Sequence, residues 1–209
     1  MQRMRTLSSI AALCFIATGQ AQDATARLRA ELERIHGLDQ QDRHAVHDFV
    51  HGPQRDSVIA HMALQDSLNL LRVTAILDSA GWLSAEEVGD RGNQALFLVL
   101  QHADRQPAVQ ARYLPIMREA VAEGRARPHE LAMLEDRVAV NSGHPQIYGS
   151  QIGWKDGKPF MQPIQDEARV NERRAAVGLE PLERYAERFG LQWTPPVPKE
   201  RVLLLGPAR

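Results

Sequence analysis

The sequence predicts a mainly α-helical fold: a single-domain bundle of about seven helices, with a small β-hairpin in a Gly/Pro-rich loop near residues 144–164. Three observations carry that expectation. Apolar residues recur every three or four positions from Asp23 almost without a break to Asn141. Prolines stand where helices begin and glycines where they end. Between Asn141 and Gln165 the texture then changes abruptly, to four glycines and three prolines.

Asp23 caps a first helix from Ala24 to His36, in which Leu28, Leu32 and Ile35 share a face and Gly37 marks the end. A second, polar helix covers about Gln40 to His51 and stops at Gly52-Pro53. The longest pattern runs from Gln54 to Ser79, with Ile59, Met62, Leu68, Leu71, Val73 and Ile76 apolar, and closes at Gly81. Ser84 and Glu87 have the capping-box spacing and open a short turn to Gly89. Asn93 to His102 encloses the run Ala95 to Leu100, apolar on all sides as a helix buried all round must be.

Pro107 starts a helix that continues to Glu123 with a kink at Pro115, and Pro128 starts another to Val140, with Leu131, Leu134 and Val138 on one stripe. Asp156-Gly157, between Ile152-Gly153-Trp154 and Phe160-Met161, is a hairpin turn signal. Helix resumes from Asp166 to Val177, with Gly178 as the left-handed cap residue. Pro181 begins the last helix, where Leu182, Tyr185, Ala186 and Phe189 form one face before an extended tail opens at Thr194-Pro195-Pro196. The expected organisation is a leader over residues 1–21, one helical domain over 22–190 and a Pro-containing tail over 191–209.

The leader is read as a signal peptide. Arg3 and Arg5 precede the apolar, small-residue stretch Leu7 to Thr18, which is too short to span a bilayer, and Gly19-Gln20-Ala21 supplies small residues for cleavage after Ala21. An uncleaved anchor is the alternative; a lipid-modified Cys14 is disfavoured because Leu13 precedes it. The expected product is exported, periplasmic or secreted, with no integral membrane segment after cleavage. Cys14 is the only cysteine, so the mature chain has no disulfide, thiol nucleophile or thiolate metal site. With 25 Lys+Arg against 26 Asp+Glu, charge gives no case for nucleic acid or an anionic membrane as partner. The partner class left is a small molecule or peptide.

Polar residues set into apolar stripes mark the candidate site. Asp66 and Asn69 share a helix face with Met62, Val73 and Ile76, and burying them unpaired would cost a few kcal/mol each. His102 prolongs the stripe of Ala95, Leu98 and Val99, with Gln101 and Asp104 beside it. Asp136 and Arg137 follow on a later helix, and the loop after it offers Gln146, Tyr148 and Gln151 among glycines. Convergence of these residues is expected, because mutual hydrogen bonding is the simplest way to satisfy them.

Two function classes use that constellation differently. In a hydrolase or group-transfer enzyme acting on an extracytoplasmic substrate, His102 is the general base and Asp136 or Asp66 orients it. Asn69, Gln101, Arg137, Gln146, Tyr148 and Gln151 then bind substrate. In a non-catalytic binding or scaffold module the same residues form a structural hydrogen-bond network. No phosphate loop, nucleophile elbow or His-Glu-x-x-His motif is present, and no cofactor is expected. His44, His47 and His51 fall on one helical face, but polar neighbours make it a solvated face and no metal site is expected. Arg169, Arg173 and Arg174 are explained by i, i+4 pairing with the interleaved Glu167 and Glu172.

A set of short runs resembles a known bacterial family. They are Gly81-Trp82-Leu83 with Val88-Gly89, Gln101-His102-Ala103-Asp104, Leu114-Pro115 and Met133-Leu134-Glu135-Asp136-Arg137-Val138. Pro145-Gln146-Ile147-Tyr148-Gly149-Ser150-Gln151 and Val170-Asn171-Glu172-Arg173-Arg174 follow, with Gly178-Leu179, Pro181-Leu182 and Tyr185 at the end. Together these are similar to domain-of-unknown-function family 6624, over about Asp66 to Phe189. The chain departs from that pattern at Leu83, Ser150 and Asn171, where the family often has Pro, Thr and Asp. The resemblance implies a helical domain with a shared polar site and carries no established reaction.

Overall fold

The computed structural model describes the backbone of residues 6–48 and 52–196, and the side chains of 22–45 and 52–196. It is mainly helical: seven α-helices and one two-stranded antiparallel sheet among the described residues. The chain groups into two compact units, Met1–Val99 and Leu100–Arg209.

In the first unit α1 (Thr6–Asp48) packs against α2 (Pro53–Ala80), and α3 (Ala85–Gln101) begins after a short turn. The helix expected to end at Gly37 and the polar helix expected after it are one element. A glycine inside a helix costs only about 1 kcal/mol. Continuing it carries Asp39, Asp42 and Arg43 onto α2, where Arg43 meets Asp66 and Asp42 meets His61 Nδ1 at 2.7 Å. The face made by Leu32 and Ile35 is fully buried, as are Val73, Ile76 and Leu77 of α2. His44 is exposed; the His47 side chain and His51 lie outside the described residues.

α2 starts on Pro53 and is closed by Gly81 at φ 70°. The capping box is present: Glu87 N–H donates to Ser84 Oγ, and Ser84 N–H donates to Glu87 Oε2 at 2.7 Å. The short turn that it opens breaks at Gly89, at φ 76° within α3. Beyond it Ala95, Leu96, Phe97, Val99 and Leu100 are all buried, as their unbroken apolar run requires. Asn93 Nδ2 fastens the turn by donating to Leu83 O at 2.7 Å.

In the second unit α4 (Pro107–Ala122) packs against α5 (Pro128–Asn141), with Tyr113, Leu114 and Met117 buried on the one and Ala132 and Leu134 on the other. Both helices begin on the predicted proline, whose missing N–H is no loss in a first turn. Pro115 stands inside α4 on its exposed side. After α5 the chain enters the Gly-rich loop and then the hairpin, β1 (Ile152–Lys155) and β2 (Lys158–Met161), in register Ile152↔Met161 and Lys155↔Lys158. Its turn is Asp156 at φ 52° and Gly157 at φ 72°, the two positive angles of the turn that matches strand twist.

A 3₁₀ turn, Glu167–Arg169, takes the place of the first residues of the helix expected from Asp166, because Asp166 itself adopts φ 47°. α6 (Val170–Ala176) and α7 (Leu182–Glu187) follow. Val170, Leu182 and Ile164 form a small core with Met161, Tyr185 and Trp193 against it. No helix among the described residues is long and apolar enough to cross a membrane.

Candidate functional site

Asp136 lies one turn beyond Ala132 on the same face of α5, and its side chain is fully buried. Such a carboxylate must find several donors or pay its full desolvation cost. The loop supplies them. Oδ1 accepts from Ile147 N–H at 2.6 Å and Tyr148 N–H at 3.0 Å, and Oδ2 from Ser150 N–H at 2.8 Å. Burial holds the carboxyl above the usual carboxylate range, against the opposing pull of these N–H groups and the Ser150 hydroxyl.

The loop can wrap the carboxylate this tightly because Gly149 takes φ 73° between the donors. A Cβ there would stand 3.0 Å from Leu182 and Ile164. Gln146, fully buried, ties the loop to the strand beyond: its Nε2 donates to Gln151 O at 3.1 Å and Gln162 O at 3.0 Å, and its Oε1 accepts from Gln151 N–H at 2.8 Å. Outward-facing carbonyls are gathered by two arginines. Arg174, buried to 1% exposure, donates to Tyr148 O at 2.7 Å and Glu180 O at 2.6 Å, with its guanidinium 5.1 Å from the Tyr185 ring. Burial pulls its pKa below the usual arginine value. Arg173 donates to Ile147 O at 2.8 Å and Asp166 O at 3.1 Å.

The expectation that these arginines pair along their helix with Glu167 and Glu172 is therefore corrected. Carbonyl oxygens of a glycine-rich loop, invisible in a residue string, compete better for a buried guanidinium than exposed carboxylates do.

Beside this knot lies a cleft of ≈ 370 Å³. Its charges among the described residues are Arg137 and Asp104, paired at 2.6 Å. Asn141, Gln151 and Gln162 supply amides, and Trp154, Tyr185 and Phe189 supply aromatic wall. The Tyr185 hydroxyl is spent on Ser150 O at 2.7 Å, and its ring meets Phe189 edge to face at 5.2 Å. Arg137 Nε is buried and has no hydrogen-bond partner among the described residues.

Of the residues singled out in the sequence, Arg137 and Gln151 line this cleft. Asp136 and Gln146 are the anchors of the loop behind it. Tyr148 gives its backbone N–H to Asp136 and hydrogen-bonds Glu135 through its phenol, and it is pushed above the ordinary tyrosine value by burial first and by Glu135 next. His102 stands half-buried in the turn after α3 and is not part of the cleft wall. Gln101 is buried, with Oε1 unpartnered among the described residues. Asp66 and Asn69 lie in the first unit, where Asp66 receives both guanidinium nitrogens of Arg43 at 3.1 Å and Asn69 Oδ1 accepts from Gln65 Nε2 at 3.0 Å.

Asn141, Trp154 and Gln162 were missed as site residues. The signal available was slight: a Trp at the mouth of a Gly-rich hairpin, and an Asn as the last residue of a helix. Among the described residues no group of three or more His, Cys, Asp or Glu is placed to hold a metal ion.

No curated protein and no solved structure matches the chain. A family model does match, described as a family of unknown function, and it runs from within α1 past the end of α7. Over residues 26–192 the chain belongs to that family, DUF6624.

Proposed function

We propose that the protein is an exported binding module whose second unit holds a small polar ligand in the cleft at Arg137. The observation that carries this reading is the division of labour between neighbours in sequence. Asp136 spends its carboxylate on three loop N–H groups, while Arg137 turns to an open cleft furnished with amides and aromatic rings. A carboxylate so committed has no lone pair placed to orient an imidazole, and Asp66 is likewise engaged, by Arg43. A concave site with a few convergent polar groups is what recognition needs.

Thermal-shift screening of chain 22–209 against sugars, amino acids, short peptides and dicarboxylates tests the reading. The expected result is a saturable rise in Tm from one class, retained in His102→Ala and lost in Arg137→Ala. Conversion of a panel compound, abolished by His102→Ala, would replace the module by the hydrolase or group-transfer enzyme. Export is part of the proposal, supported by Arg3, Arg5, the apolar stretch and Gly19-Gln20-Ala21. Intact mass of the secreted product is expected to place its first residue at Gln22; a full-length product recovered from the cytoplasm would refute it.

A further inference from the structure

We infer that the ligand of this cleft is a neutral saccharide, an inference that rests on the binding-module reading and narrows it to one chemical class. Three observations point there. The first is charge: Arg137 and Asp104 are already paired with each other at 2.6 Å, so the described wall is electrically balanced. An anionic ligand would gain Arg137 and meet Asp104, and a cation would meet the reverse.

The second is the direction of the hydrogen-bonding groups. Gln110 gives its Nε2 to the carbonyls of Leu100 and Gln101, so its Oε1 can only accept, and Asn141 Nδ2 donates to it at 2.8 Å. Gln151 Nε2 is spent on Met133 O and Ser150 Oγ. Gln151 can therefore offer the cleft only its carbonyl oxygen, Asn141 keeps its carbonyl oxygen and one N–H, and Asp104 adds a carboxylate oxygen not used by Arg137. A wall that offers acceptors and an amide N–H beside a guanidinium asks for a ligand whose groups both donate and accept, which is the property of a hydroxyl. Vicinal hydroxyls can bridge an arginine and a carboxylate without separating them.

The third is the platform. Trp154 is 63% exposed at the cleft mouth, where its strand neighbour Ile152 also lines the wall. An indole left in water beside polar acceptors gives an apolar face for the C–H side of a pyranose ring. The cleft volume of ≈ 370 Å³ lies in the ordinary range for small-ligand sites.

The experiment is titration calorimetry of chain 22–209 with cellobiose, maltotriose and diacetylchitobiose, set against glycyl-phenylalanine and citrate as charged probes. Saturable binding of at least one sugar is expected, unchanged between low and high salt because the ligand carries no charge. Trp154→Ala, a change at an exposed position expected to leave the Tm in place, is expected to weaken it about tenfold. Binding of the dipeptide or citrate with salt-dependent affinity, and of no sugar, overturns the saccharide assignment and keeps the binding module. Silence from every probe, sugars included, overturns both. Sugar binding untouched by Trp154→Ala moves the site elsewhere and overturns this assignment too.

Discussion

Replacing Asp136 with Asn exchanges one carboxylate oxygen for an amide NH₂ inside a ring of N–H donors. At least one of Ile147, Tyr148 and Ser150 then faces a donor instead of an acceptor, and the expected loss is about 2–4 kcal/mol of stability in urea unfolding. The loss has a pH signature. Burial raises this group above its ordinary value of 3.8 in the folded protein, so the folded state holds the proton to higher pH than the unfolded chain. Stability linked to that proton is fully present below the ordinary value and is lost as pH rises through the folded one. Asn does not titrate, so the deficit of Asp136→Asn is larger in acid than at neutral pH; a gap that shrinks on acidification contradicts this. Arg174→Met keeps the bulk, strands Tyr148 O and Glu180 O, and is expected to cost about 2–4 kcal/mol, with Arg174→Lys restoring only part because one ammonium cannot span both carbonyls. Full rescue by Lys would show that the charge alone matters.

Among elements, the hairpin depends on what Gly153 leaves out. The Phe160 ring lies over it, and a Cβ would stand 2.3 Å from the ring's Cζ. Gly153→Ala is therefore expected to destabilise by about 1–2 kcal/mol, an overpacking cost. Phe160→Ala should remove most of that cost, and a double-mutant cycle with no coupling between the two would contradict the cross-strand explanation. Elements announced by backbone chemistry were legible beforehand. Pro53, Pro107 and Pro128 each sit in the first turn of a helix, and Asp156-Gly157 turns the hairpin, because their φ preferences act locally. Gly37 misled the reading for the complementary reason. Its mild helical penalty is outweighed by burial of Leu32 and Ile35 before it and by the contacts of Asp42 with His61 and Arg43 with Asp66 after it, and that gain is tertiary.

At the scale of the molecule, the cleft draws on segments near residues 104, 137–141, 150–162 and 185–189, each of which has an ordinary local explanation. Tyr185 and Phe189 read as core face, Asn141 as a helix end and Trp154 as a strand residue. Only the polar intruders Arg137 and Gln151 stood out against their surroundings. The loop around Asp136 was marked by its glycines, yet nothing in the string revealed that backbone N–H groups, not side chains, would be the carboxylate's partners. That arrangement has a kinetic consequence. Amides of an irregular surface loop ordinarily exchange with solvent deuterium within the fastest class, since opening them costs little. Those of Ile147, Tyr148 and Ser150 can be released only by freeing a buried carboxylate, and so their deuterium uptake should be as slow as that of the buried turns of α5, in a stretch with no helix or strand of its own. Rapid labelling of these three amides would mean that the loop opens without the rest of its unit.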